Sequence, residues 1–446
     1  MGLSSTETCE PARPGAEAPP HFVWLFLLAA LTGTAAGALG GLFHLSADHA
    51  EALRGHLASL AGHGAWAVSL LASAGLAAGA VLLVRRYAPE AAGSGIQEIE
   101  AALAGLRPLR WLRVLLVKFP AGVLALGSAM VLGREGPTIQ MGGASGKGIA
   151  ALLRTRSPYV RHCLVAAGAG AGLTAAFNAP LAGILFVVEE MREEFHFDFV
   201  SFHCVVIACA MATVACRLIA GADPAIPMAV MPAPRLAHLA LFLVFGLSVG
   251  LIGVAFNAAL TWTLDRFEAL SPARRLLAAA AVGAVAGLCA WGLPAAAGSG
   301  HATLLQTLYH SQTARVLLGV FAVRFLLTMA SYASGAPGGI FAPMLVLGTL
   351  WGVLFGLGSG SALSLAGLPP DSFAVTGMGA LFAATVRAPL TGMVLILEMT
   401  GNYSLTLPLM VTCISAAGLA EALGGRPIYR ILMERTLRAA GLHPGA

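Results

Sequence analysis

The stretch Gly133-Arg134-Glu135-Gly136-Pro137 places a guanidinium and a carboxylate in a chain that is apolar almost everywhere around them. From Lys118 to Leu132 there is no charge beyond Lys118 itself, and Gly142, Gly143, Gly146 and Gly148 keep the following backbone thin. An ionisable pair inside apolar sequence is costly in a membrane, so it points to function. Pro137 suits the first turn of a helix, where a missing N–H costs nothing. The stretch therefore reads as a helix starting at membrane depth, its free N–H groups and positive dipole end aimed at something negative.

The rest of the chain agrees. Of its 446 residues 58% are hydrophobic and 11% charged, against about 25% charged in soluble domains. This excludes an ordinary soluble fold and predicts an all-α polytopic membrane protein. The 54 glycines fit helices that pack through small residues. The net charge of +5 is spread in ones and twos, which suits basic loops on one membrane face and not nucleic-acid binding. The seven cysteines form no CxxC pair and lie mostly in apolar runs, so buried thiols are expected and metal ligation is not.

Taken in order, residues 1–21 read as a polar, Pro-rich disordered tail, and 22–222 as a first transmembrane repeat. Residues 223–235 form a linker, 236–430 a second transmembrane repeat, and 431–446 a short, basic, cytoplasmic tail by the positive-inside tendency. The repeat is visible in the residues. Gly172 to Glu189 (GLTAAFNAPLAGILFVVE) matches Leu381 to Glu398 (LFAATVRAPLTGMVLILE), with Pro180 on Pro389 and Glu189 on Glu398. A weaker match sets Gly133-x-x-Gly136 on Gly335-x-x-Gly338. Repeats with broken helices at matching positions are the best sequence pointer to a transport site. Irregular backbone at membrane depth survives only where it is buried or lines a cavity.

Three Gly-rich breaks, at 93–97, 133–137 and 335–343, each expose backbone N–H groups at a helix start. Together they favour an anion, with the Ser94 hydroxyl as a further donor. Glu135 is then a carboxylate able to occupy the anion's position and to leave it on protonation. Burial disfavours its charged form and the amide ends favour it, which makes its titration tunable.

The segments Gly93-Ser94-Gly95-Ile96-Gln97-Glu98, Gly133-Arg134-Glu135-Gly136-Pro137 and Gly338-Gly339-Ile340-Phe341-Ala342-Pro343 resemble the three signature stretches of the CLC chloride channels and transporters, over about residues 22–435. The resemblance implies two inverted-topology repeats with some eighteen helices per subunit, and a homodimer with one pathway in each subunit. It implies Ser94 and Tyr429 as side-chain chloride ligands, Ile340 and Phe341 as backbone donors, and Glu135 as the gating acid. It also implies Glu190 as the inner proton-transfer acid of the exchanger branch.

The expected function is antiport of chloride and protons, with no cofactor beyond bound chloride, in the inner (plasma) membrane. The alternative is a passive chloride-selective channel of the same fold. An intramembrane serine hydrolase built on Gly143-Ala144-Ser145-Gly146 is a third reading, which requires a histidine facing Ser145. One departure stands out, because the first signature usually carries Pro where Gln97 stands. Gln97 adds a donor and an acceptor beside Ser94.

Overall fold

The computed structural model describes residues 22–221, 225–309, 312–363, 368 and 371–442; the expected N-terminal tail lies outside them. The first half contains α1 (Phe22–Leu60), α2 (Ala65–Tyr87), α3 (Ile96–Leu103), α4 (Trp111–Gly127), α5 (Glu135–Leu152), α6 (Pro158–Phe177), α7 (Pro180–Glu189) and α8 (Phe199–Ala220). The second contains α9 (Leu239–Glu268), α10 (Pro272–Gly292), α11 (His301–Tyr309), α12 (Ala314–Ala333), α13 (Phe341–Leu363), α14 (Asp371–Val386), α15 (Pro389–Thr400), α16 (Thr406–Ala422) and α17 (Ile428–Ala439). Among the described residues nine helices are long and apolar enough to cross a membrane. The expected tail boundary at 430 falls inside α17, where Leu432 and Leu437 are buried and hold residues 431–439 to the body. Residues 225–235 carry no helix, and Ile226 N–H donates to Met399 O at 3.1 Å.

The helices stop where the chemistry of the chain stops them. At the end of α6, Asn178 takes a left-handed conformation (φ 53°), and Pro180 opens α7. Asn tolerates that region and Pro pre-forms a first turn. Between helices the packing is backbone against backbone. A Cβ on Gly142 would lie 2.1 Å from Gly168 O, and in the second half a Cβ on Gly348 would lie 2.2 Å from Gly377 O. In lipid, where burial of apolar surface does not drive helices together, such close approach supplies the attraction.

Two reciprocal contacts relate the halves. Gly133 N–H donates to Gly339 O (2.8 Å) and Gly339 N–H to Gly133 O (2.7 Å), the only sheet-like pairing among the described residues. Glu189, at the end of α7, accepts from Leu390 N–H (3.0 Å) and from Thr391 N–H (2.7 Å) and Oγ1 (2.8 Å) at the start of α15. Glu398, in the last turns of α15, accepts from Leu181 N–H (3.0 Å) and Ala182 N–H (2.8 Å) at the start of α7. Each carboxylate caps the other helix's free amides and meets its positive dipole end, so α7 and α15 run antiparallel about a pseudo-two-fold axis. This is why Pro180 aligns with Pro389 and Glu189 with Glu398.

The Gly133 pairing corrects the weaker match. The axis sets Gly133 on Gly339, not on Gly335, and therefore Pro137 on Pro343. Gly335 sits in a left-handed turn (φ 82°) four residues earlier, a conformation glycine adopts without strain. A third repeat went unread in the sequence. Ala91-Ala92-Gly93-Ser94-Gly95 recurs as Ala296-Ala297-Gly298-Ser299-Gly300. Both copies follow a Pro-initiated 3-10 turn and share positive φ at their glycines, 59° and 84° against 68° and 90°.

Candidate functional site

The three breaks meet. Gly338 N–H donates to Gly93 O at 3.0 Å, Gly133 pairs with Gly339, and a Cβ on Gly136 would lie 2.7 Å from the Ser94 Cα. Buried cations hold the first of these breaks and its counterpart in the second half. Lys118 on α4, fully buried, donates to Ala91 O (2.9 Å) and Gly93 O (2.8 Å). Arg324 on α12, also fully buried, donates to Ala297 O (3.0 Å) and Gly298 O (2.9 Å) before α11. Charge-assisted bonds to carbonyls fix loops that have little side chain to pack.

Glu135 begins α5 and is fully buried. Its Oε1 accepts from Ala342 N–H at 3.0 Å, and the amides of Phe341 and of Glu135 itself also face the carboxylate. Its Oε2 has no hydrogen-bond partner. The carboxylate lies between two glycines: a Cβ on Gly133 would fall 2.1 Å from Oε1 and one on Gly339 2.6 Å from it. The amide ends of α5 and α13 thus hold a negative group in a cradle that only glycine leaves open.

Ile340 and Phe341 stand at the start of α13, both fully buried. Tyr429, in the first turn of α17, is fully buried with its hydroxyl unpartnered, and its ring stacks on Phe341 at 5.8 Å. Phe341 also packs against Phe382 (4.6 Å) and Phe186 (5.9 Å). Ser94 is fully buried; its Oγ accepts from Ile96 N–H (3.2 Å) and donates to Gln97 Oε1 (3.1 Å). The departure at Gln97 therefore has a direct consequence, since a hydroxyl has one proton and here Gln97 takes it.

Glu190 is the candidate that the structure sets apart. It caps the end of α7, half-buried, in an open crevice of about 70 Å³ shared with Glu100, Glu193, Glu194, Arg387 and Arg430. Burial and the carboxylates of Glu194 and Glu189 hold its carboxyl well above the usual range. The Tyr429 hydroxyl lies within electrostatic reach of both Glu135 and Glu190.

Glu100 escaped the sequence reading. It is buried on α3 with Oε1 unpartnered, facing Glu190, Glu193 and Glu194. The available signal was its place in the apolar stripe of Ile96, Ile99 and Leu103, whereas Glu98 on the other face pairs with Arg107. The hydrolase reading falls away. Ser145 Oγ donates to Met141 O within α5 (2.8 Å), and the His162 and His196 rings face each other 4.7 Å apart.

A family model described as voltage gated chloride channel matches residues 74–421. The chain belongs to this family, the CLC proteins. An H(+)/Cl(-) exchange transporter ClcA from Vibrio parahaemolyticus is 46% identical over 422 residues, covering 93% of this chain and 90% of the relative. A solved slow cyanobacterial Cl-/H+ antiporter superposes with a TM-score of 0.90 at 39% identity, covering 93% and 98% of the two chains. A eukaryotic CLC transporter shares the fold at 23% identity, with a TM-score of 0.81 and coverage of 93% and 74%.

Proposed function

We propose that this CLC protein is a secondary active antiporter that exchanges chloride for protons. The reading is carried by one observation: the Glu135 carboxylate occupies a cradle of amide ends suited to an anion. A chloride ion and the ionised carboxylate compete for that cradle. Protonation removes the charge that the amides hold, the side chain leaves, and chloride enters. When the ionised carboxylate returns to the cradle it gives up that proton and displaces chloride, which ties the two fluxes in opposite directions.

In this scheme Phe341 and Ile340 supply backbone donors, and Ser94 and Tyr429 supply hydroxyls on the far side of the cradle. Glu190 delivers protons from the crevice at the α17 end. Tyr429, stacked on Phe341, lies within electrostatic reach of both Glu190 and Glu135. The acid at 190 supports exchange over passive conduction, because a channel needs no second titratable group. The α17 face is taken as cytoplasmic, in the inner membrane, on the basic residues Arg426, Arg430, Arg435 and Arg438. The unit is a homodimer with one pathway in each subunit.

The test is flux in liposomes. An imposed chloride gradient drives protons uphill in the opposite direction; chloride movement without proton counterflow overturns the reading. Glu190→Gln loses the proton flux and keeps chloride flux, and protons that still move in that variant remove Glu190 from the scheme.

A further inference from the structure

On the face opposite the crevice, α1 carries His44, Asp48 and Glu51 at spacings of four and three, one stripe of a helix. His44 lies about 33 Å along α1 from Phe22, at 1.5 Å per residue. The stripe faces the outer side of the gate. Arg134, the residue before Glu135, places Nη1 2.7 Å from His44 Nε2, and Asp48 Oδ2 lies 3.0 Å from the same nitrogen.

These two contacts are incompatible in one protonation state. A guanidinium only donates and a carboxylate only accepts. A neutral ring with its proton on Nδ1 accepts from Arg134 and turns a lone pair on Asp48. A ring with a proton on Nε2 donates to Asp48 and turns that proton on Arg134. The imidazolium does the latter and adds like-charge repulsion against the guanidinium. Imidazole is the side chain whose ordinary titration lies between pH 5 and 8.

We propose that His44 is a proton-operated latch on Arg134. Neutral with its proton on Nδ1, it holds the guanidinium; protonated, it turns to Asp48 and releases Arg134, so that the mouth beside Glu135 gains anion-attracting charge. His44 is a positioning residue and does not touch the transported ion. The other ionisable groups at this place are Asp48, Glu51 and Arg54 on α1, Arg134 and Glu135 on α5, Cys216 and Arg217 on α8, His301 on α11 and Arg324 on α12. Arg85 and Arg86 of α2 and Arg161 and His162 of α6 lie at the other ends of their helices. Lys118 of α4 is turned onto Ala91 and Gly93. The inference rests on the exchange reading only in taking chloride flux as its readout.

Chloride efflux from liposomes is measured at symmetric pH values from 7.5 down to 5.0 for the wild-type chain, His44→Gln and Asp48→Asn. Gln suits the position because its amide oxygen accepts from Arg134 while its amide nitrogen donates to Asp48, with no charge to gain. The wild-type to His44→Gln rate ratio rises roughly fivefold as the pH falls, the Boltzmann factor for one unit charge acting at about 4 Å in water. In Asp48→Asn the imidazolium loses its partner, and the step no longer falls where the wild type's does. A rate ratio constant across this range, with each protein monodisperse, overturns the latch, since a structural role scales the rate equally at every pH. Should His44→Gln not fold, the step in Asp48→Asn is compared with the wild type directly, and an unmoved step is equally decisive. Absent proton counterflow in the wild type sinks the exchange reading; a flat ratio with counterflow intact sinks the latch alone.

Discussion

Replacing Gly133 by alanine tests the cradle with a single methyl group. The residue is not among the glycines with positive φ, so alanine strains no backbone angle there. The new Cβ falls 2.1 Å from Glu135 Oε1 and 2.2 Å from Oε2, far inside any tolerable contact, and the atoms it meets belong to the gating side chain itself. The carboxylate must therefore leave, losing the 3.0 Å bond from Ala342 N–H. A hydrogen bond to a charged group contributes about 1.5–3 kcal/mol, so the population with the acid out of the cradle rises roughly 10- to 150-fold. The assay is chloride efflux from liposomes at pH 7.5, where the ionised acid blocks the site, together with the proton counterflow. The same methyl group crowds the place that chloride would take, so efflux in Gly133→Ala falls and the ratio of protons to chloride falls with it. The control is the same change made on Glu135→Ala, where efflux falls as well, since the methyl group crowds chloride with no carboxylate present. Unchanged efflux at pH 7.5 from a folded Gly133→Ala protein refutes the cradle as the seat of the gate.

Three further outcomes follow from contacts already described. Gln97→Pro frees the Ser94 proton now held by Gln97 Oε1, and chloride binding measured by isothermal titration tightens several-fold, in line with one hydrogen bond of about 0.5–1.5 kcal/mol; equal affinity in the two proteins would show that Gln97 does not compete. Glu189→Ala removes three hydrogen bonds from the start of α15. At about 0.5 kcal/mol or a little more each, given their solvent exposure, the thermal midpoint in detergent drops by a few degrees, and Glu398→Ala, which removes two, drops it less. Burial, reinforced by Glu193, raises the carboxyl of Glu194 above its ordinary 4.5. The folded state therefore binds more protons than the unfolded one, and this contribution to stability is complete below 4.5 and lost as pH rises through the raised value. Denaturation followed across that window shows a shallower fall in Glu194→Gln, and an identical slope refutes the assignment.

Much of this site was legible before any coordinates. Hydropathy marked the spans, glycine and proline marked the breaks, and a carboxylate in apolar surroundings marked the candidate gate. What stayed hidden was which groups meet across some two hundred residues. The role of Glu189 and Glu398 as mutual caps is a property of two helix ends and appears in neither alone. The register of Gly133 on Gly339 was misread because glycines recur every few residues in this chain, and composition cannot say which pair shares the axis. Glu100 was passed over because an acid two residues from Glu98 looks like a solvated face until the helix is set in place. The chain past residue 430 read as a tail because it is basic, yet it continues the helix that carries Tyr429 and buries Leu432 and Leu437.

The pairing of Gly133 with Gly339 also sets Glu135 opposite Phe341, the two residues that open α5 and α13. Two nearly equivalent helix starts thus approach the centre from opposite sides of the membrane, one bearing an acid and the other an aromatic ring. Among the described residues α17, with Tyr429, has no counterpart in the first half. The duplicated scaffold is symmetric, but its contents are not. An ion arriving from one side meets a group that a proton can neutralise, and from the other a wall that no proton can alter. The asymmetry of these two positions gives the protein a sense of direction that its backbone lacks.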